Sequence, residues 1–386
     1  MKIKQIIIII TLFLLTGCYD QKELNKIAIL TATEINKIDD EYVINAQVVN
    51  PQAPDKTTNI EAPFFIYTGK GKSIQEAYRQ IKLSSSRYLY PEHLRIVIIN
   101  ESIAKEDISQ ILDFYLRDPS IRTEFNVLIG KNNDIISTIT PLNQISASSI
   151  IDTLEINNNY LGVSNNTTLN EMAVSYLNPN TEIILPSIKL NNPSKEKDTE
   201  ENTKSTKINS IYELSGLAIF KDNKLQGYLT NKESITYNMI KNNIENSILT
   251  YECEKNKYLT LEIITSKSKI TAKNKKINID LSIQATINES SCSTKLNNKK
   301  NIEIIEHNLE KYLNNNIKND IDYIRNKYNT DIFGFLDTIY KQDYNTYIKI
   351  KNNWYNNEFK NIPINIKTKI RIVGIGNIME GINEKN

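Results

Sequence analysis

Apolar and polar positions alternate along this chain in strand-length and helix-length pieces. Tyr42, Ile44, Ala46 and Val48 share one side of a period-two run, which predicts a half-buried strand over 42–50, stopped by Pro51 and Pro54. Ser73-Ile-Gln-Glu76 is a capping-box sequence: the serine hydroxyl accepts from the Glu76 backbone N–H and the carboxylate reaches back. Ile74, Ala77, Tyr78 and Ile81 follow at helical spacing. Leu94 to Ile99 is a compact apolar run, the pattern of a strand covered on both faces. Ile108, Ile111, Leu112, Tyr115 and Leu116 mark a second helix, ended by Pro119, and Glu124 to Gly130 reads as a strand. Strands alternating with helices make this first block mixed α/β.

The pattern then breaks. Residues 191–207 contain no apolar side chain and bury nothing that offsets their ordering entropy, so the segment is expected to be a mobile polar loop. Leu214 to Phe220 and Leu225 to Thr230 flank Lys221-Asp222-Asn223-Lys224, a hairpin turn sequence. Tyr258 to Ser266 and Ile277 to Ile287 are further strands. A long helix is predicted over 302–328, with Ile305, Leu309, Leu313, Ile317, Ile321 and Ile324 on its apolar stripe. Ile364, Ile366, Ile370 and Ile372 alternate with Asn365, Lys367, Lys369 and Arg371, a strand with one wet face. No internal repeat of domain-building length is evident.

The amino terminus carries a different signal. Lys2 and Lys4 precede an apolar run from Ile6 to Leu15, which as a helix spans about 15 Å, half of a hydrocarbon core. It fits the apolar region of a signal peptide (residues 1–17) and ends in Leu15-Thr16-Gly17-Cys18, the pattern of a bacterial lipobox. The small residues Thr16 and Gly17 leave a peptidase room at the bond before Cys18. A diacylglyceryl group on the Cys18 thiol then supplies two acyl chains, enough for a stable anchor where one chain is marginal. The mature chain is expected to start at Cys18, outside the cytoplasmic membrane. No other stretch reaches the length and apolarity of a membrane-spanning helix.

Composition narrows the chemistry. With 47 Lys+Arg against 45 Asp+Glu in 386 residues, the net charge of +2 excludes the basic excess of a nucleic-acid surface. Two histidines and three cysteines leave little for metal or haem ligation, and no metal or cofactor is expected beyond the lipid on Cys18. Cys253 and Cys292 are open to two readings, a disulfide or two free thiols. Ser102-Ile-Ala-Lys105 matches the S-x-x-K nucleophile motif, but S-D-N and K-T-G elements are absent, and Ser102 is better read as a helix cap. Gly374 to Gly381 has the look of a phosphate-binding glycine loop with too few residues after it to complete a βαβ unit. His93 and His307 stand alone, and Trp354 among Tyr344, Tyr347, Tyr355 and Phe359 reads as core rather than as a sugar- or partner-facing patch. No enzyme site is expected.

Several segments together resemble the Ger(x)C family, the lipoprotein C subunits of GerA-type spore germinant receptors. Cys18-Tyr19-Asp20-Gln21-Lys22-Glu23-Leu24 is similar to the family's C-W-D-x-R-E-I opening. Gly71 to Ala77 resembles its G-x-s-i-x-e-A segment, and Leu112 to Arg122 its l-d-f-l-x-R-D-p-x-i-R segment after the strand that starts near His93. Glu213 to Lys221, Leu225 to Leu229, Asp331-Ile-Phe333-Gly334-Phe335 and Trp354 follow in family order, with Tyr19 and Tyr228 where tryptophan is usual. The resemblance implies an α+β fold of three domains, each a β-sheet with packed helices: 18–135, 136–250 and 251–386. It implies a non-catalytic, lipid-anchored receptor subunit on the outer face of the spore inner membrane, assembled with two integral-membrane subunits of A and B type. Whether such a subunit touches germinant is left open by the sequence. The alternative is a solute-binding lipoprotein serving a transporter, with two lobes closing on a ligand.

Overall fold

The computed structural model describes residues 23–50, 62–193, 196–204 and 206–376. Cys18 and the rest of the lipobox lie outside them, as does Gly381. The described chain is mixed α+β, with two sheets and helices packed on both.

The larger sheet is built from β1 (Ile27–Ile38), β2 (Glu41–Val49), β3 (Phe64–Gly71), β4 (Tyr88–Tyr90), β5 (Ile96–Asn100), β6 (Asn126–Gly130), β7 (Ile184–Leu190), β8 (Tyr212–Lys221) and β9 (Lys224–Tyr228). Its spatial order is β3-β2-β1-β5-β6-β7-β8-β9, with β4 paired to the start of β1. The central strands β1, β5, β6 and β7 run parallel, and antiparallel pairs flank them. Between these strands lie α1 (Ile74–Ile81), α2 (Glu101–Glu106), α3 (Ser109–Arg117), α4 (Ser146–Tyr160) and α5 (Leu169–Leu177). The N-terminal and middle blocks expected from the sequence share this sheet, because β6 pairs with β7 through Ile129–Ser187 and Gly130–Ile188.

Both faces of the sheet are covered. On one, Val97, Ile99 and Val127 pack against the apolar sides of α1, α3 and α5. On the other, Ile96, Ile98 and Leu128 meet Ala147, Ile150 and Leu154 of α4. β5 is buried at all five positions, as its continuous apolar run requires. β2 departs from its expected half-burial, since every residue from Tyr42 to Val48 is buried. Its apparent wet face lies under the chain that follows β6.

The smaller sheet orders β10 (Ser247–Glu254), β11 (Lys257–Lys273), β12 (Lys276–Ser290) and β13 (Ile364–Gly374), the last pair parallel. α6 (Asn231–Lys241), α7 (Lys299–Tyr328) and α8 (Phe335–Gln342) cover one of its faces, and α9 (Tyr344–Ile350) follows. α7 starts three residues earlier than its stripe predicts because the Asn298 side chain caps it, accepting from Lys300 N. Ile184, Leu217 and Ile219 of the large sheet join the same core, so apolar packing is continuous between the two sheets.

α7 also closes an edge. The outward N–H groups of Thr368, Ile370 and Ile372 on β13 donate to Asn314 Oδ1 at 2.9 Å, Glu310 Oε1 at 3.2 Å and Glu306 Oε1 at 2.7 Å. These acceptors are four residues apart, one helical row laid along the strand.

Local chemistry explains the joins. Asp222 and Asn223 both take positive φ, the two-residue turn that the β8–β9 hairpin twist favours. The Ser73 hydroxyl accepts from Glu76 N as expected, but the Glu76 carboxylate accepts from Lys72 N, one residue before the cap. α2 is capped by Asn100 rather than Ser102, with Asn100 Oδ1 accepting from both Ser102 N and Ser102 Oγ. The polar segment expected to be a mobile loop (191–207) holds a helical turn at Glu201–Lys204, docked by Asn202, which has no exposed surface. Asn202 donates to Ile139 O and Ser210 O and accepts from Ser210 N. One amide with both donors and its oxygen engaged fastens a segment that has no apolar side chain to bury.

Cys253 and Cys292 form a disulfide, with Cα atoms 6.1 Å apart, within normal bridging range. It ties β10 to the segment after β12 across a sequence separation of 39 residues. Thiol counting on the unfolded, unreduced protein should find neither cysteine free; two reactive thiols would refute the bridge. Replacing both with serine should lower stability by about 2–4 kcal/mol, read from denaturant midpoints.

Candidate functional site

The residues that suggested chemistry do not assemble into a catalytic group. Ser102 Oγ is engaged by Asn100, and Lys105 pairs with Glu101 at 2.5 Å. His93 is exposed beside Tyr90, and His307 is exposed with Nδ1 3.8 Å from Glu310. Gly374 ends β13, and of the glycine-rich stretch only Gly374 to Gly376 is described. The aromatic group near the carboxyl end divides: Trp354 and Phe359 are buried with rings 5.5 Å apart, while Tyr344 is exposed and stacks on Tyr347. Among the described residues no three His, Cys, Asp or Glu side chains are placed to hold a metal ion.

The two motif-like segments of the first block come together. Tyr78 of α1 stacks on Phe114 of α3 at 5.4 Å, and its hydroxyl bonds Tyr115 at 2.9 Å and Thr33 at 2.8 Å. α1 lies directly on β3 because Gly69 has no side chain: a Cβ there would stand 2.0 Å from Ala77 O. Ser73, Ile74, Phe114 and Arg117 line a cavity of about 530 Å³ at this contact. Arg117 is held toward it by a forked pair with Asp113.

The second concentration of polar groups sits where the two sheets meet. Tyr355 OH donates to Glu182 Oε1 at 2.5 Å, and Lys221 Nζ lies 4.2 Å above the Tyr355 ring while donating to Asn329 O. Tyr328 OH donates to Tyr228 O, and a Cβ at Gly227 would strike the Tyr328 ring. Asp331 is fully buried and caps α8, accepting from Phe335 N and Leu336 N. Burial raises the Asp331 carboxyl to about 6 and the Glu182 carboxyl to about 7, and the same desolvation lowers Lys241. Glu182 and Lys241 share a cavity of about 450 Å³ with Asn158 and Asn165, whose side-chain oxygens have no protein partner. The Asp331-to-Phe335 segment noted in the sequence therefore works as part of this joint.

A third group lies under the chain that follows β6. Glu34 of β1 has no exposed surface and accepts from Asp134 N at 2.6 Å and Ile136 N at 3.3 Å. Gln47 of β2 donates to Ile136 O and accepts from Ala147 N, and Asn45 donates to Asp134 Oδ1. Together they hold the chain between β6 and α4 against the sheet. Burial is the largest influence on Glu34 and the nearby Asp134 charge adds to it, raising its carboxyl to about 7 despite the backbone donors.

A large parallel-centred sheet and a helix-backed second sheet, joined through a shared core and a polar cluster, form the frame on which the comparisons bear. The chain belongs to the Ger(x)C family of spore germination proteins. Residues 20–190 match the spore germination protein N-terminal domain, and residues 215–376 match the spore germination B3/GerAC-like C-terminal domain. It is 27% identical over 394 residues to spore germination protein KC of Bacillus subtilis (strain 168), covering 96% of each chain. It is 23% identical over 390 residues to spore germination protein B3 of the same organism, covering 95% of this chain and 96% of that one. The crystal structure of the GerBC protein shares the fold, with a TM-score of 0.52 over 88% of this chain and 96% of that chain at 18% identity.

The raised carboxyls set a pH dependence. An acid that keeps its proton to about pH 7 when folded, and loses it near 4.5 when unfolded, stabilises the fold at low pH and ceases to do so as pH rises through that window. Glu34 alone should account for a fall of up to about 3 kcal/mol across it. Urea midpoints of Glu34→Gln should vary less with pH between these limits than those of the parent. An unchanged slope would assign the effect elsewhere.

Proposed function

We propose that this chain is the lipid-anchored, non-catalytic C subunit of a nutrient germinant receptor. A diacylglyceryl group on Cys18 holds it at the outer face of the spore inner membrane, where it assembles with two integral-membrane subunits of A and B type. The observation that carries this reading is the pair of family matches spanning both halves of the chain, together with the lipobox ahead of them. No helix among the described residues is long and apolar enough to cross a membrane, which leaves Cys18 as the attachment that the sequence offers.

The geometry of the tether supports a role beside membrane partners. About nine residues separate Cys18 from β1, a span of at most about 30 Å when fully extended. A body kept that close to the bilayer meets embedded subunits at high effective concentration, so modest contacts suffice for assembly.

In spores, Cys18→Ala should abolish membrane retention and the response to nutrients while the purified variant keeps its thermal midpoint. A pull-down with the anchored chain should recover two polytopic proteins. Full nutrient germination with the unanchored variant would overturn the proposal.

A further inference from the structure

The uncovered face of the smaller sheet carries an unusual charge distribution. α6, α7 and α8 bury the side bearing Ile277, Ile279, Leu281 and Ile283, so the alternate residues of β11, β12 and β13 face solvent. Register places them in rows. Lys269, Asp280 and Lys367 lie side by side, as do Lys267, Ser282 and Lys369, then Thr265, Gln284 and Arg371. Five cations thus share a flat area about 10 Å across the strands and about 14 Å along them. Asp280 is the one carboxylate among these rows. All five cations are exposed, and none forms an ion pair with another described residue. Asp280 stands between Lys269 and Lys367, whereas Lys267, Lys369 and Arg371 have no carboxylate in their own rows.

We propose that Lys267, Lys269, Lys367, Lys369 and Arg371 form a docking face for an anionic lipid surface. This goes beyond the receptor reading above and does not require Cys18. The chemistry favours lipid over an acidic protein. Protein interfaces are depleted in lysine and centre on buried aromatic or arginine anchors, whereas four of these five groups are lysines. The rows hold no aromatic ring. Long flexible ammonium arms on a flat sheet suit a plane of mobile phosphate headgroups that rearrange beneath them. Each cation near such a surface strengthens binding by roughly fivefold, so the effect of several is large and is screened by salt.

The test uses the mature chain from residue 18 with Cys18→Ser, which retains every described residue and carries no acyl chain. Flotation with vesicles containing one-third phosphatidylglycerol should recover the protein at low salt, and pure phosphatidylcholine vesicles should not. Lys267→Glu, Lys369→Glu and Arg371→Glu combined avoid the neighbours of Asp280 and should weaken the phosphatidylglycerol interaction by about 100-fold or more. The same charge change on the opposite side, Lys300→Glu, Lys311→Glu and Lys318→Glu on α7, should leave most of it. Thermal midpoints close to the parent's would show both triples folded. Failure to bind phosphatidylglycerol vesicles would overturn the proposal, as would equal loss in both triples, which would make net charge the cause. Capture by polyglutamate with no vesicle binding would transfer the face to an acidic protein and equally refute it.

Discussion

A sheet with parallel strands at its centre has no face to give to water, and this constraint organises the molecule. α1, α3 and α5 cover one side through helices that return each strand to its neighbour. The other side is covered piecemeal: α4 over the middle, and at β7 and β8 the core of the second sheet itself. Ile184, Leu217 and Ile219 lie in that shared core, so the carboxyl-terminal body completes the larger sheet rather than hanging from it.

Polar groups do the remaining work of closure. Where α4 arrives after a long connection, Glu34 and Gln47 reach up from the sheet to backbone groups of that connection, and Asn45 donates to the Asp134 side chain. A buried carboxylate is costly, and its persistence here reflects the donors it satisfies. The joint between the bodies uses the same logic, with Glu182 and Tyr355 on one axis and Asp331 beneath α8 on another.

Much of this architecture was legible in the sequence, and the misreadings share a cause. α3, α7 and β13 were readable because apolar residues sit at a single period with polar residues between them, and β5 because its apolar run is unbroken. β2 was misread as half-wet because alternation alone does not say what lies on the polar side. The difference was present in residue type. β13 alternates with Lys367, Lys369 and Arg371, long ionised side chains that stay in water, whereas β2 alternates with Asn45 and Gln47, neutral amides that pair fully inside a protein. Asn202 made the same point in a segment with no apolar residue at all. The joint around Glu182 was not legible, because its members come from segments more than a hundred residues apart.

The row of Glu306, Glu310 and Asn314 along β13 has a further consequence. A bare strand edge invites any extended peptide to zip onto it, including the matching strand of a neighbour. Here the outward amides already have acceptors from the body's own helix, so this border offers no template. Copies of the chain cannot pair through these three amides, so whatever binds this stretch of the flank must grip side chains instead of extending the sheet.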